Sequence, residues 1–184
     1  DGTFKPDGVI TRAETAALIA RISGVYNADE TYNTDFSDCA QSAWFTNYVG
    51  CCIQNGFITG YSDGTFRPER NVTRAEFAAI LCRVFGYKRT SQNDNFNDIS
   101  EHWAADSINA LFDYNVVSPE SDGSFRPDDK LLRKEAVSML NAALCIEPDK
   151  AEIDKYVSWN GQPFSDVSES SPYYYDVLSA ALGK

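Results

Sequence analysis

Residues 60–68 read GYSDGTFRP, and residues 73–76 read TRAE shortly afterwards. The Asp-Gly pair predicts a tight turn, since glycine adopts a positive φ without steric cost. Pro68 prevents a helix through the extended stretch that follows the turn. Thr73 with Glu76 matches the capping box, which marks the start of a helix. These residues therefore predict a turn-containing loop that leads into a capped helix.

Both signatures recur along the chain, together with a third. The third is Phe-x-Asp, which stands ahead of Trp44 and Trp103 in two copies and ahead of a tyrosine cluster in another. The turn signature lies at residues 1–6, 63–68 and 122–127. The cap signature lies at 11–14, 73–76 and 132–135, where the last copy is degraded to LRKE. Phe-x-Asp lies at 36–38, 96–98 and 164–166. Their common order, at spacings of about 60 residues, predicts an internal repeat.

Each repeat is predicted to contain two helices. The first follows the aromatic residue, where Trp103, Ile108, Leu111 and Phe112 form an apolar stripe at helical spacing. The second follows the cap and is rich in small residues, as in 13–20, which favours close helix packing. One such pair cannot bury its apolar stripe alone, so the repeats must share a core. We therefore expect an all-α fold of three helix–loop–helix repeats in a pseudo-threefold bundle.

The repeats appear in permuted form. We divide the chain into a second half-repeat (1–27), a complete repeat (36–88), a complete but degenerate repeat (96–146), an inserted loop or short helix (147–163) and a first half-repeat (164–184). The helix around residues 173–182 is expected to pack beside that at 11–23 and close the bundle. Alternatively, the halves complete neighbouring chains in a head-to-tail polymer or swapped dimer. Because the sequence opens inside a repeat and without Met, we expect a piece of a longer protein.

Composition excludes several classes of function. The net charge of −11 argues against general binding to nucleic acid or anionic lipid, and no apolar run reaches the roughly 20 residues of a membrane helix. A single arginine in a local groove can still hold an anion. No HExxH motif, phosphate loop or Cys–His pair indicates an enzyme or a zinc site, and no cofactor is expected. The odd number of cysteines, five, leaves at least one without a partner in the chain; Cys52 and Cys82 are interpreted as buried thiols, and a Cys39–Cys51 bridge is an alternative in an oxidising compartment.

Taken together, these signatures resemble the S-layer homology family, whose repeat runs Phe-x-Asp, Trp-Ala, Gly-Tyr-x-Asp-Gly-Thr-Phe-x-Pro and Thr-Arg-Ala-Glu. The resemblance covers nearly the whole chain apart from the linkers. It implies an extracellular module at the bacterial cell wall or S-layer, anchored non-covalently to secondary cell-wall polysaccharide that often bears ketal-linked pyruvate. The arginine of Thr-Arg-Ala-Glu is tied to recognition of this anionic sugar in grooves between repeats.

The resemblance implies a set of carbohydrate-binding candidates. Guanidinium offers paired donors to the carboxylate of a pyruvyl ketal, and a helix start favours an anion. Tryptophan offers a flat face to a sugar ring, and the matching helix position offers an acceptor to sugar hydroxyls. The candidates are Arg12, Arg74, Arg133, Trp44, Trp103, Asn47, Asp106, Asp176, Gly60 and Tyr61.

Plainer interpretations accompany these assignments. The arginines can serve the fold by bridging to carboxylates, and the tryptophans on the apolar stripe favour core packing over sugar stacking. The third repeat lacks the two glycines and the tyrosine of the second, so its groove is expected to be weak or inactive. The alternative function is a structural or assembly module, in which the fold packs against itself or another surface protein and glycan binding has decayed.

Overall fold

A computed structural model describes residues 2–183; Asp1, the first residue of the N-terminal turn signature, and Lys184 lie outside the described residues. The described chain is all-helical, as predicted, and contains no β-strand beyond isolated bridges. The helices are α1 (Arg12–Ile22), α2 (Thr46–Gln54), α3 (Arg74–Phe85), α4 (Ala105–Asp113), α5 (Arg133–Ala143), α6 (Lys150–Asn160) and α7 (Tyr174–Leu182).

Helices pair in chain order: α1 packs on α2, α3 on α4, and α5 on α7, while α6 also packs on α7. The prediction that the C-terminal helix packs beside α1 is therefore wrong. Each uncapped helix folds back on the capped helix that precedes it, and α7 follows the same rule by packing on α5. Asp176 contributes to this pairing, because its carboxylate accepts from Ser138 Oγ at 2.8 Å and its carbonyl from Asn141.

The two terminal half-repeats meet within one chain through a loop rather than through helices. The Asp166 carboxylate accepts hydrogen bonds from the backbone N–H groups of Phe4 and Lys5, both at 2.8 Å. The Phe164 ring lies 5.5 Å from the Phe4 ring. The complete repeats contain the same clamp, in which Asp38 accepts from Phe66 and Arg67, and Asp98 from Phe125 and Arg126.

A ring of three backbone hydrogen bonds marks the pseudo-threefold centre. Ile10 N–H donates to Leu131 O (3.1 Å), Leu131 N–H to Val72 O (2.9 Å), and Val72 N–H to Ile10 O (3.0 Å). Each of these residues lies two positions ahead of the arginine that begins a capped helix, and each is almost fully buried. The ring therefore brings the starts of α1, α3 and α5 together around the axis.

The helix caps follow the sequence signatures. Thr11 and Thr73 each form a complete capping box with the glutamate of Thr-Arg-Ala-Glu. Leu132 keeps only half of it, because its N–H donates to Glu135 Oε2 (2.8 Å) while its side chain has no acceptor. A Thr cap replaced by an apolar residue costs about 0.5–2 kcal/mol.

Two other regions complete the description. The segment 147–163 contains helix α6, which is buried chiefly through Ile153, so the short-helix alternative holds for most of it. All five cysteines, each within the described residues, are free thiols. The alternative of a Cys39–Cys51 bridge is therefore wrong, because the two side chains are buried as separate thiols. Across residues 2–183, no helix combines the length and the apolar character needed to cross a bilayer.

Candidate functional site

Three grooves around the pseudo-threefold bundle are each lined by the first arginine of one capped helix and by the face of the next capped helix. Groove A is lined by Arg12, Thr59, Gly60, Tyr61, Glu76, Arg83 and Trp103. Groove B is lined by Arg74, Ser118, Glu120, Glu135, Met139 and Tyr173. Groove C is lined by Arg133, Phe4, Glu14, Leu18, Arg21 and Trp44. The structure thus distributes the three predicted arginines over three equivalent places.

Each arginine is held in the same way by the neighbouring turn loop. Its Nε donates to the carbonyl of the turn phenylalanine, and its guanidinium lies over that phenylalanine ring. For Arg12 the carbonyl is 2.8 Å away and the ring centroid 4.5 Å. The corresponding values are 2.8 and 4.6 Å for Arg74 with Phe125, and 2.9 and 5.0 Å for Arg133 with Phe4. These arginines thus serve the fold through a carbonyl and a ring, whereas the expected bridge to a carboxylate is made by Arg74 and not by Arg12, and the guanidinium retains further donors.

Groove A contains a buried cation that has no ion-pair partner among the described residues. Arg12 is 7% exposed, and its Nη2 donates to Thr59 O at 2.8 Å. It forms no ion pair with a carboxylate of the described chain. Burial lowers the pKa of Arg12, with opposing contributions from Tyr61 and Glu76. Because a buried charge is costly unless it is paired, this guanidinium is suited to receive an anion.

Tyr61 adds a second unsatisfied group to groove A. Its hydroxyl is buried and has no hydrogen-bond partner among residues 2–183. Its ring lies within reach of three guanidinium groups: Arg67 at 4.1 Å, Arg12 at 4.9 Å and Arg70 at 6.0 Å. Groove A is therefore locally cationic in a protein whose net charge is −11.

Gly60 allows the loop to approach the Phe-x-Asp motif of the same repeat, residues 36–38, closely. A Cβ atom at this position would lie 2.0 Å from the ring of Phe36. Any side chain here must displace that ring and the loop that carries Tyr61. Gly60 thus shapes groove A through packing.

Groove B is neutralised by the protein itself. Arg74 Nη1 contacts Glu135 Oε1 at 2.6 Å, and Glu120 lies 4.0 Å from Arg74 Nη2. Glu120 takes the place of Tyr61, because its N–H donates to Ser124 O just as that of Tyr61 donates to Thr65 O. The altered loop of the third repeat therefore brings a carboxylate where groove A has a phenol.

Groove C lies between these two cases. Arg133 is half-buried and forms no ion pair within residues 2–183. Arg21, on the opposite side of the groove, donates to Tyr48 Oη at 2.8 Å and lies over its ring. Groove C thus retains an unpaired guanidinium although its cap is degraded.

The two predicted tryptophans are exposed, so the core-packing interpretation is wrong. Trp103 is 64% and Trp44 59% exposed. Each lies ahead of its helix, since α4 begins at Ala105 and α2 at Thr46, and is therefore off the apolar stripe. Trp103 lines groove A and Trp44 lines groove C, while Tyr173 occupies the same position in groove B.

The three predicted polar acceptors line none of grooves A, B and C. Asn47 accepts from Tyr32 N at 2.7 Å and donates to Glu30 O, which fastens the first linker, residues 28–35. Asp106 pairs at 3.0 Å with Arg89 of the second linker, residues 89–95. Asp176 binds Ser138, as described above. Their side chains are engaged in holding linkers and helices.

Arg70 and Arg83 are functional candidates that sequence reasoning missed. Arg83 lines groove A and donates to Phe57 O at 3.3 Å, and Arg70 pairs with Glu76 at the groove edge. Neither belongs to a repeat signature. The signal that could have indicated them is their charge. Arg70 lies two residues after the loop proline of the second repeat, where the third repeat has Asp129.

Residues 60–64, GYSDG, match the letters of the hydrolase nucleophile motif G-x-S-x-G. That motif acts on a sharp turn between a strand and a helix. Here Ser62 lies in a loop, α3 begins only at Arg74, and the only histidine, His102, contacts Asp128 and the Ala104 N–H. The match therefore carries no catalytic arrangement.

In the described part of the chain, no cluster of three or more His, Cys, Asp or Glu residues is arranged to hold a metal ion.

Comparison with known proteins agrees with this architecture. The family model for the S-layer homology domain matches residues 1–16, 35–78 and 95–137. Cell surface glycoprotein 1 of Acetivibrio thermocellus is 35% identical over 99% of this chain and 8% of its own length. The cellulosome-anchoring protein of the same organism is 29% identical over 94% of this chain and 41% of its own length. An endoglucanase of a Bacillus species is 32% identical over 79% of this chain and 15% of its own length. The chain thus spans less than half the length of these relatives. It belongs to the S-layer homology domain family.

Proposed function

We propose that this chain is a non-covalent cell-wall anchoring module that binds an anionic secondary cell-wall polysaccharide at the bacterial surface. The observation that carries the proposal is Arg12, a buried guanidinium in groove A that has no carboxylate partner in the described chain. The names of its relatives, a cell surface glycoprotein and a cellulosome-anchoring protein, agree with such a role.

The proposed ligand group is the carboxylate of a pyruvyl ketal. A carboxylate beside Arg12 gains charge-assisted hydrogen bonds from the guanidinium, which is desolvated and already oriented by Phe66 O and Thr59 O. Arg12 is also the first residue of α1, where the helix dipole favours an anion. The site thus provides a fixed positive charge at the inner end of groove A.

The sugar ring itself would contact the exposed parts of groove A. Trp103 offers an apolar face at the rim, and the unpaired hydroxyl of Tyr61 offers a hydrogen bond to a sugar oxygen. Gly60 keeps this loop close to the groove. We assign groove A as the principal site, groove C with Arg133 and Trp44 as a secondary site, and groove B as inactive. Asn47, Asp106 and Asp176 are not part of the proposed site.

The assembly alternative has one observation in its favour, the neutralised groove B. Its head-to-tail form lacks support, because Asp166 completes the Phe4 loop inside a single chain. In relatives that carry an enzyme name, such as the endoglucanase, this module makes up a minor share of the protein. Anchoring without catalysis in this segment is therefore the proposed role.

The proposal is tested by co-sedimentation of the purified chain with isolated cell-wall polysaccharide, native and chemically depyruvylated. We expect binding to the native polymer and its loss after depyruvylation. Equal binding to both polymers would eliminate the pyruvyl carboxylate as the recognised group. A folded chain that binds neither polymer would favour the assembly module, and light scattering on the same sample would then reveal its oligomeric state.

A further inference from the structure

The glutamate of each capping box lies in a groove beside an arginine, but it has different partners in grooves A and B. In groove A, Glu76 contacts Arg70 Nη1 through both carboxylate oxygens, at 2.7 and 2.9 Å. In groove B, Glu135 contacts Arg74, the groove arginine itself, at 2.6 Å. Both glutamates also keep their capping bonds to the backbone N–H of Thr73 or Leu132. The same cap residue is thus used in two electrostatic arrangements.

One position of the turn loop accounts for this difference. Arg70 and Asp129 occupy equivalent places, because each lies two residues after the loop proline and its carbonyl accepts the N–H of the groove arginine. These backbone bonds are both 2.9 Å long: Arg12 N to Arg70 O, and Arg74 N to Asp129 O. An arginine at this position attracts the glutamate to the groove edge. An aspartate at this position repels the cap glutamate and favours its pairing with the groove arginine, as Glu135 pairs with Arg74.

We propose that the residue at this loop position determines which groove accepts a carboxylate ligand. Arg70 holds Glu76 away from Arg12 and keeps that guanidinium available, whereas Asp129 leaves Glu135 to occupy Arg74 as an internal carboxylate. Glu135 then occupies the place beside the guanidinium where the carboxylate of the glycan would bind. Arg70 is therefore a positioning residue that acts through Glu76. This inference rests on the proposed function, since it specifies where the anionic ligand is accepted.

Groove C shows the arrangement when the loop position is uncharged. The equivalent loop position is Gly8, whose carbonyl accepts from Arg133 N at 2.8 Å. Gly8 has no charge with which to attract or repel Glu14, and Glu14 keeps its capping bonds to Thr11. Arg133 lacks a carboxylate partner in the described chain although no arginine attracts Glu14. The pairing of Glu135 with Arg74 therefore goes with the negative charge of Asp129, and not merely with the absence of an arginine at this position.

The decisive variants exchange the charge at this position and then remove the glutamate charge. Arg70→Asp introduces the arrangement of the third repeat into groove A, and Arg70→Asp/Glu76→Gln keeps the cap while removing the competing carboxylate, since glutamine also serves in a capping box. Lys88→Asp is the matched control, because it makes the same charge change at an exposed site outside grooves A, B and C. Calorimetric titration with isolated native polysaccharide measures affinity.

We expect Arg70→Asp to weaken binding by about tenfold to a hundredfold, the value of one charge-assisted contact, and the double variant to recover most of the loss. Lys88→Asp should bind as the wild type does. If the double variant remains as weak as Arg70→Asp, then Arg70 contacts the glycan directly and the positioning role is refuted.

Groove B provides the reciprocal test. In an Arg12→Gln background, which removes the guanidinium of groove A, Glu120→Gln/Glu135→Gln should raise binding by releasing Arg74 from both of its carboxylate neighbours, whereas Glu120→Gln alone should not. No gain of binding would contradict the inference.

A crystal structure of Arg70→Asp gives a readout that needs no glycan. The Glu76 carboxylate should be within hydrogen-bond distance of Arg12 there, and an unchanged position would overturn the inference. This readout separates the two proposals, because failure of the wild type to bind polysaccharide would refute only the proposed function.

Discussion

Asp38 fastens the turn loop of the second repeat, and its replacement by asparagine should lower the thermal midpoint of unfolding by about 4–8 °C. The carboxylate accepts from Phe66 N at 2.8 Å and Arg67 N at 2.7 Å. An asparagine oxygen can replace only one of these acceptors, and its amide N–H₂ then faces the second backbone N–H. A hydrogen bond to a charged acceptor contributes about 1.5–3 kcal/mol, and Asp38 is partly exposed, so we expect a loss of about 2 kcal/mol.

The assay is thermal unfolding followed by circular dichroism, with Asp35→Asn as the matched control. Asp35 is exposed, makes no side-chain hydrogen bond within residues 2–183, and undergoes the same change of charge. For a chain of this size, each kcal/mol shifts the midpoint by about 2–4 °C. If Asp38→Asn and Asp35→Asn have the same midpoint, the carboxylate clamp does not stabilise the loop and the reasoning fails.

Other expectations concern thiols, acid stability and the rim of groove A. A thiol reagent at pH 8 should label the exposed Cys145 in the native chain, while Cys52, whose pKa is raised to about 12 by burial, should react only after unfolding; equal labelling rates would refute this burial. Backbone N–H donors from the second linker hold the pKa of Asp113 at about 2, so its stabilising contribution is complete above its ordinary pKa near 4 and is lost as pH falls from about 4 to 2. Asp113→Asn should therefore flatten the dependence of the thermal midpoint on pH in this interval, and an unchanged slope would contradict the assignment. Trp103→Ala should weaken polysaccharide binding about tenfold, whereas Trp159→Ala, at an exposed site on α6 outside the grooves, should leave it unchanged; equal effects of both would argue against stacking in groove A.

The repeat architecture was predictable because its signatures are local. The Asp-Gly turns, the capping boxes at Thr11 and Thr73, and the alanine-rich faces each depend on residues close in sequence, and the structure contains them as expected. The packing of α7 was not predictable in this way. Motif order defines a repeat, but it does not specify which of two neighbouring capped helices a terminal helix contacts.

The placement of the three arginines in grooves was predictable from the sequence, whereas the residues around them were less so. Trp103 was assigned to the apolar stripe because its spacing to Ile108 suits a helix, yet α4 begins only after it, at Ala105. The partner of each glutamate depends on side chains brought together from different repeats, so the contrast between Arg70 and Asp129 appears only in three dimensions. The free thiols likewise depend on distances that cysteine spacing does not encode.

The most direct test of the anchoring account is the affinity of native cell-wall polysaccharide for Arg12→Gln and Arg74→Gln, measured side by side by calorimetry. The two arginines make the same contact with a turn phenylalanine carbonyl, so each variant controls for the fold-keeping role of the other. The account predicts that Arg12→Gln weakens binding at least about tenfold while Arg74→Gln binds as the wild type does. Wild-type affinity in Arg12→Gln, or a loss confined to Arg74→Gln, would contradict groove A as the principal site.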